Sequence, residues 1–396
     1  MRKDITGKSM TKRVSEKEGT QSASSGLARP RGAKGGQASS PKVTIGLDLG
    51  DRESHYCILD SEGTVIEEGR LSTTQNGFRR RFAPLEWAVI AMEVGTHSPW
   101  VSRLLTDLGH EVLVANARKL RMIYGNRRKQ DKVDARMLAR VARMDPALLA
   151  SIQHRPLPMA QDLAVVRSRD VLVRARTQLV NHIRGAVKSN GSRVTRCTTK
   201  TFPKVAGTQL PEAMREALSP VLDVITQLTA KIAEFDDHIK KLAHEKYPET
   251  RLVSQIPSIA ALTSLTFVLT LECPERFPKS RAVGPYLGLV PARSQSGASD
   301  PQLRITKEGD SYLRQLLVQA AQRLLRKQGP DCDLRHFGLR IAERGGKNAK
   351  KRAVVAVARK LAVLMHKLWA TGEVFEPLRQ QEAALMPPPP FCGAAA

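Results

Sequence analysis

The first periodic part of the chain consists of short apolar runs that are typical of β-strands. Val43–Gly50, His55–Asp60 and Thr64–Glu67 are three such runs, and Ser61-Glu62-Gly63 is a turn signal between the second and third. They predict an antiparallel meander. A buried-type strand, a helix and another strand are then predicted at Ala88–Val94, Pro99–Leu108 and Glu111–Ala115.

The order of these elements predicts the fold class. Strand–helix–strand alternation after the meander indicates parallel pairing. A mixed sheet that begins with an antiparallel meander has the strand order of an RNase H-like (RuvC-like) fold. A helix is predicted next, over Asp131–Met144. We therefore expect an α/β domain first and mainly helical sequence after it.

Two long helices are predicted next, over Met159–Asn190 and from about Pro220 to Lys246, with Ser219 as the N-cap of the second. Apolar residues in the second recur at steps of three and four, which is a coiled-coil pattern. This seam predicts either self-association or antiparallel packing on the first helix, and the plainer alternative is packing within one domain. The seam residues are Leu218, Val221, Ile225, Leu228, Ile232, Phe235, Ile239 and Leu242.

The remaining sequence completes a five-part organisation. Gly309–Lys327 and Lys350–Trp369 are the clearest helices of a third unit. Both ends of the chain have the composition of tails, and the first 42 residues hold 10 Lys and Arg against 3 Asp and Glu. The predicted parts are a basic tail 1–42, an RNase H-like domain 43–150, a coiled-coil connector 151–249, a mainly helical C-terminal domain 250–376 and a tail 377–396.

The charge of the chain identifies the class of partner. The net charge of the 396 residues is +26, which favours a polyanionic partner. No apolar run reaches the ~20 residues that a membrane-spanning helix needs, so nucleic acid is expected rather than membrane. Aromatic residues make up only 4%, which argues against binding by base stacking. A polar start and five scattered cysteines favour the reducing cytoplasm.

Four carboxylates occupy positions where charge is unusual. Asp48 lies among apolar residues of the first strand and Glu93 near the end of a buried-type strand, where an unpaired charge is costly. Asp131 and Asp134 are three residues apart on one predicted helix face. Such hard oxygen ligands suit Mg²⁺, which can activate water in phosphodiester cleavage. Taken singly, each could instead be a turn residue or one half of a surface ion pair.

A basic segment leads into the acidic helix and is predicted to hold a phosphate backbone there. A solvated run of charges is the alternative. The arginines of the first long helix are a second candidate surface for nucleic acid. The residues of the segment are Arg118, Lys119, Arg121, Arg127, Arg128 and Lys129, and those of the helix are Arg167, Arg169, Arg174, Arg176 and Arg184.

Several longer stretches carry a family resemblance. They are IGLDLG, AMEVG and NRRKQDKVDARMLARVARMDP in the first part of the chain, RARTQLVNHIRGAVKSNG in the first long helix, and PYLGLVPARSQSGASDPQLRITKEGDSYLRQLLVQAA and GGKNAKKRAVVAVARKLAVLMHKLW further on. Together they resemble the DEDD-type transposases of the insertion-sequence one-ten family, which includes bridge-RNA-guided serine recombinases. The resemblance covers roughly residues 43–376.

The resemblance implies catalytic roles for particular residues, which composition alone does not. The metal-binding acids of the family correspond here to Asp48, Glu93, Asp131 and Asp134, with Mg²⁺ as the cofactor. The nucleophilic serine of the family precedes a glycine and corresponds to Ser296, with Ser294 and Ser299 as alternatives. By resemblance, this serine attacks DNA and holds it as a phosphoserine during strand exchange. A structured guide RNA would then supply sequence specificity.

One short segment departs from the family pattern. Where relatives have a turn like IPGIG, this chain has Ile256-Pro257-Ser258-Ile259-Ala260. Glycines in such a turn allow close approach to phosphate. Ser258 and Ala260 put that contact in doubt.

These observations lead to one hypothesis and two rivals. The hypothesis is a transposase that excises and integrates an insertion sequence as a homo-oligomer, a dimer or tetramer, on DNA element ends and target. One rival is a Holliday-junction-type metal-dependent endonuclease without a covalent intermediate. The other is a nucleic-acid-binding protein without chemistry, which the four acids argue against.

Overall fold

The computed structural model describes residues 43–116, 131–297, 299–301 and 303–379, and it describes only the backbone of Asp131 and Lys132. The chain forms two compact units, the first ending at Gln153 and the second beginning at His154. The predicted tail over residues 1–42 lies outside the described residues. So does the basic segment with Arg118, Lys119, Arg121, Arg127, Arg128 and Lys129.

The first unit is built on one mixed five-stranded sheet. Its strands lie in the order β3-β2-β1-β4-β5. β1 pairs antiparallel with β2 and parallel with β4. β2 and β3 are also antiparallel, and β4 and β5 are also parallel. The predicted mixed sheet, with an antiparallel meander first, is therefore confirmed. The strands are β1 Val43–Asp48, β2 Glu53–Asp60, β3 Val65–Ser72, β4 Val89–Glu93 and β5 Glu111–Ala115.

Helices cover both faces of this sheet. The helices of this unit are α1 Gln75–Phe82, α2 Ser98–Asp107 and α3 Asp131–Met144. Ile45 and Leu47 of β1 share a buried cluster with Phe78 of α1 and Leu105 of α2. The alternate residues of β1 face α3, because successive side chains of a strand point to opposite faces. The first unit therefore has helix, sheet and helix layers.

Two long antiparallel helices dominate one part of the second unit. They are α4, Leu157–Ser189, and α6, Glu212–Lys241, with α5, Phe202–Gln209, packed beside them. Arg169 donates to Asp236 at 2.9 Å, and Arg176 donates to Thr229 at 3.3 Å, so residues further along α4 meet earlier residues of α6. The α6 seam is therefore covered by α4 of the same chain.

A second helical cluster completes this unit. The helices are α7 Thr250–Ser254, α8 Ala261–Leu271, α9 Val283–Tyr286, α10 Ser311–Leu324, α11 Asp333–Glu343 and α12 Ala349–Thr371. α8 is buried over most of its length, as its apolar sequence favours. Leu313, Leu317, Leu361 and Met365 join α10 and α12 in a shared core.

The predicted start of the second long helix is wrong. α6 begins at Glu212, and Pro220 lies inside it rather than in its first turn. Proline inside a helix removes one hydrogen bond and usually ends the helix. Here Leu218 and Leu222, on either side of Pro220, are buried against Ile183 of α4. Packing of this apolar face compensates for the lost bond.

Short helices are the elements that pattern reasoning missed. α1, α5 and α11 have 8, 8 and 11 residues, which leaves little room for a helical period to emerge. Among the described residues, no helix is both long and apolar enough to cross a membrane.

Candidate catalytic centres

Two carboxylates lie at neighbouring strand ends of the first unit. In the parallel pair of β1 and β4, Leu47 lies opposite Met92. The next residues are Asp48 and Glu93, which end the two strands. Because adjacent strands lie about 4.8 Å apart, these residues are neighbours at the carboxyl edge of the sheet. Asp48 is half-buried and Glu93 is exposed.

Both carboxylates point to the face that α3 covers. A Cβ atom at Gly46, two residues before Asp48, would lie 1.9 Å from the carbonyl oxygen of Ala135 in α3. Ala91, two residues before Glu93, is buried in a cluster with α3 residues. Side chains two residues apart on a strand share a face. Asp48 and Glu93 are therefore directed towards the α3 side.

The orientation of α3 brings its amino terminus to the same edge. Arg136 donates to Glu68 at 2.6 Å, level with Gly46 of β1. Seven residues later, Arg143 donates to the carbonyl oxygen of Ser61 at 2.8 Å, beside the start of β1. α3 thus runs antiparallel to β1, and its first turn lies towards the end of β1. The hydrogen bond with Glu68 raises the pKa of Arg136.

The structure thus brings Asp48, Glu93 and Asp134 to one end of one sheet face. Asp134 is half-buried in the first turn of α3. Asp131 begins the same helix, and its side chain lies outside the described residues. Within the described part of the chain, no three Asp, Glu, His or Cys side chains lie close enough together to hold a metal ion.

The candidate serine lies at the tip of a hairpin in the second unit. The two arms of this hairpin, residues 290–306, pair at Pro291 and Ile305, and Ser296 pairs with Ser299 through two backbone hydrogen bonds of 3.0 and 3.1 Å. Gly297 has a φ of +55° at the tip, a conformation that favours glycine. Ser296 and Ser294 are both exposed. Within the described residues, the Ser296 hydroxyl makes no hydrogen bond.

A backbone clasp holds the base of this hairpin. A Cβ atom at Gly288 would lie 2.2 Å from the amide nitrogen of Glu308, and one at Gly309 would lie 2.0 Å from the carbonyl oxygen of Tyr286. Arg314 donates to the carbonyl oxygens of Leu287 and Glu308, at 2.9 and 2.7 Å. The stretches YLGLVP and ITKEGD are therefore two sides of one structure that positions the serine hairpin.

Family models of known proteins match the two parts of the chain that contain these candidate centres. A sequence model of DEDD-type IS110 proteins, described as "Transposase", matches residues 45–190. A second model, "Transposase IS116/IS110/IS902 family", matches residues 250–336. The chain belongs to the IS110 family of transposases. It is therefore an enzyme that acts on DNA.

Relatives of this transposase align over most of their lengths. The transposase for insertion sequence element IS1111A of Coxiella burnetii is 26% identical over 339 residues, which is 84% of this chain and 90% of that protein. A probable family 20 transposase of Pseudomonas aeruginosa is 28% identical over 84% of this chain and 98% of its own. The transposase for element IS1328 of Yersinia enterocolitica is 27% identical over 71% and 84%.

The arginines of α4 have partners within the second unit of the transposase. Arg167 pairs with Asp310, the N-cap of α10, and stacks on Tyr312. The other four have partners within the second unit. Arg169 pairs with Asp236, Arg174 with Asp170, Arg176 with Thr229, and Arg184 with Cys197 and the ring of Phe202. That this helix tracks nucleic acid stays a prediction, and these contacts give its arginines a structural role as well.

The departure at Ser258 is visible in the backbone of the transposase. Ser258 has a φ of +74°, so the turn keeps a conformation suited to glycine. Its carbonyl oxygen accepts a hydrogen bond of 3.0 Å from Arg323. Ala260 is the residue before α8 and has an extended conformation. The turn before α8 therefore survives the loss of both glycines.

Sequence reasoning missed the residues of the clasp. Gly288, Gly309 and Arg314 carry no chemistry that composition could single out. The signal that could have found them is a glycine at a loop boundary, in GLVP and in EGD, where a tight backbone approach needs the absence of a Cβ atom.

Proposed function

We propose that this transposase cuts and rejoins DNA with an RNase H-like acidic centre and a serine nucleophile. The observation that supports the proposal is that Asp48 and Glu93 end neighbouring strands on the sheet face that α3 covers. The first turn of α3, which holds Asp134, is directed towards that edge. Asp131 precedes Asp134 by three residues on that helix. The four acids are the proposed ligand set.

The proposed cofactor is Mg²⁺, and the donor set fits it. Carboxylate oxygens are the hard ligands that Mg²⁺ takes in proteins. When bound, the ion would polarise a phosphate and stabilise the charge that develops on the leaving oxygen. The proposed role of the protein is to position the four carboxylates. β1 and β4 carry two of the carboxylates, and the close packing of α3 on Gly46 supports a fixed place for Asp134 relative to them.

The second part of the proposal concerns Ser296. Its Oγ attacks a phosphorus atom of DNA, the Oγ–P bond forms, and the bond from phosphorus to one deoxyribose oxygen breaks. The hydroxyl proton leaves the serine, and the departing deoxyribose oxygen takes up a proton. Attack by another strand's deoxyribose hydroxyl reverses the step and rejoins DNA. The exposed hairpin tip supports this role, because a nucleophile must reach a bulky substrate.

Two partners complete the proposal. A structured RNA from the element would select DNA sites by base pairing. The transposase would act as a homo-oligomer, a dimer or tetramer. Family membership supports strand transfer over a junction endonuclease that only hydrolyses, and it leaves both partners as proposals.

Carboxylate-to-amide substitutions test the acidic centre. Asp48→Asn, Glu93→Gln and Asp134→Asn keep side-chain size and remove metal-binding charge. Each should lower cutting of DNA that carries the element ends by at least ~100-fold, roughly 3 kcal/mol of transition-state stabilisation. DNA affinity, measured by fluorescence anisotropy, should change little.

A matched substitution in the same unit controls for charge alone. Asp107 is exposed at the end of α2, away from the strand ends that hold Asp48 and Glu93, and Asp107→Asn should cut normally. Equal loss of cutting and of DNA affinity in Asp134→Asn would contradict the proposal. That outcome would assign the acids a structural role.

A further inference from the structure

A wide cleft lies beside the serine hairpin, within the second unit. Its volume is about 1370 Å³. The hairpin forms one wall through Pro291 and Ile305, and α12 forms the opposite wall, with the end of α11 between them. The floor is largely apolar and includes Leu289, Phe337 and Val355. The cleft is therefore built in part from the element that presents Ser296.

Its lining is strongly cationic. Seven lysine and arginine side chains line the cleft, and its lining contains no aspartate or glutamate. All seven are exposed. Such a concentration of like charge is unfavourable unless an anion neutralises it. Six of these residues are Arg281, Arg304, Arg344, Lys351, Arg359 and Lys360.

These cations differ from the arginines of α4, which have partners within their own unit. Across the described residues, Arg281, Arg304, Arg344, Lys351 and Arg359 form no ion pair. Lys360 lies 3.9 Å from the centre of the Phe337 ring. Burial, and then the nearby Arg340, lower the pKa of Lys360. The cleft thus holds several cations that form no ion pair with any acidic side chain in the described part of the chain.

We propose that this cleft binds the phosphodiester backbone of the DNA strand that Ser296 attacks. Lys351 and Arg359 are eight residues apart on adjacent sides of α12, about 12 Å at ~1.5 Å per residue. That span covers about four phosphates at ~3.4 Å per nucleotide of duplex axis. From Pro291 in the cleft wall, five residues lead to Ser296, at most about 17 Å of extended chain.

DNA is the favoured occupant because of this shared wall. A ligand in the cleft contacts the two arms of the hairpin whose tip carries the proposed nucleophile. The identity of the ligand therefore rests on the proposed function, whereas its polyanionic chemistry rests on the lining charges alone. RNA is the competing polyanion, and the experiment distinguishes the two.

A charge-removal experiment tests the cleft. All variants are made in full-length Ser296→Ala protein, so that binding is measured without chemistry. The cleft triple is Arg304→Gln, Lys351→Gln and Arg359→Gln. The control triple removes the same charge from exposed residues elsewhere in the second unit, Arg193→Gln, Arg196→Gln and Lys200→Gln. Probes are a labelled DNA duplex of an element end and an RNA strand of the same sequence.

The cleft triple should weaken DNA binding at least tenfold, on the order of three lost phosphate contacts, and the control triple should not. The log–log dependence of affinity on salt should become shallower by about 2 to 3, at about 0.9 per phosphate contact. A charge-keeping triple, Arg304→Lys, Lys351→Arg and Arg359→Lys, should retain that salt dependence. Thermal unfolding checks that each variant is folded.

Three outcomes would overturn the proposal. They are unchanged DNA affinity in the cleft triple, equal losses in the cleft and control triples, or loss of RNA binding alone. None of them bears on the serine chemistry. The proposed serine mechanism is refuted by a different result, namely that protein with Ser296 intact forms no covalent product with DNA.

Discussion

Ser258 lies in a turn whose backbone conformation favours glycine, and holding a serine there costs stability. Its φ of +74° lies in the left-handed region, which costs a residue with a Cβ atom roughly 1–2 kcal/mol. The hydrogen bond from Arg323 to its carbonyl oxygen helps hold the turn in that state. The strain lies in the backbone and therefore remains with any side chain except glycine.

Ser258→Gly should stabilise the protein by about 0.5–1 kcal/mol. The relief of left-handed strain exceeds the extra unfolded-state entropy of glycine, which is roughly 0.5–1 kcal/mol. The midpoint of urea unfolding, followed by circular dichroism, measures the change. Ser254→Gly, in α7, is the control and should destabilise the protein by about the same amount. A less stable Ser258→Gly protein would contradict the account.

At the residue scale, the acids and the serine differ in how far sequence can predict them. Asp48 and Glu93 stand out because each interrupts an apolar strand, and the register of β1 and β4 brings them to one edge. The acidic cluster stays a prediction, since no set of three is complete among the described side chains. Ser296 carries no such signal, because a serine in a loop is ordinary, and only the family resemblance singles it out.

At the element scale, the packing of α3 on β1 depends on a missing side chain. Gly46 lets the backbone of α3 approach so closely that any Cβ atom would lie 1.9 Å from the Ala135 carbonyl oxygen. Ala135 and Ala139 make the opposite surface equally small, and both are buried. Burial also raises the pKa of the neighbouring Cys57 to about 11, so this thiol stays protonated.

Gly46→Ala should destabilise the first unit by about 3 kcal/mol and abolish DNA cutting. The helix must move away from the sheet to admit the new methyl group, and such overpacking costs up to about 3 kcal/mol or more. Urea unfolding and the cutting assay measure the two effects. Gly95→Ala is the stability control, because nothing lies within 4 Å of its added Cβ atom. Equal stability of the two variants would refute this packing.

The α6 seam gives a second prediction at this scale. Ile232 is 3% exposed and faces α4 of the same chain, whereas Val224 is 43% exposed. Ile232→Ala should therefore cost about 2–4 kcal/mol of unfolding free energy. Val224→Ala should change it by less than about 0.5 kcal/mol. If Ile232→Ala left stability intact but lowered the mass in light scattering, the seam would join separate copies instead.

Heptad spacing predicted the apolar face of α6 but not its partner. The same steps of three and four serve a helix pair within one chain and a pair between two chains. Local sequence rules also could not predict where α6 begins. Burial of Leu218 and Leu222 outweighs the cost of the hydrogen bond that Pro220 removes inside the helix. Tertiary packing therefore decided both features.

At the scale of the whole molecule, the net charge of +26 predicted the class of partner and not its location. The arginine-rich α4 was the most conspicuous basic element in the sequence, yet its cations have partners within their unit. The basic cleft instead combines Arg281, Arg304 and Arg359, which are far apart in sequence. Only folding brings such residues together, so no local pattern could reveal them.

The central claim is that Ser296 of this transposase forms a covalent phosphoserine bond with the DNA strand that it cuts. A suicide DNA substrate, nicked so that rejoining is blocked, should trap a protein–DNA adduct that survives denaturant, and peptide mass spectrometry should place it on Ser296. Ser296→Ala should lose the adduct and recombination by at least about 1000-fold, roughly 4 kcal/mol, while Ser294→Ala and Ser299→Ala retain activity. Near-normal recombination by Ser296→Ala would contradict the covalent mechanism and favour hydrolysis.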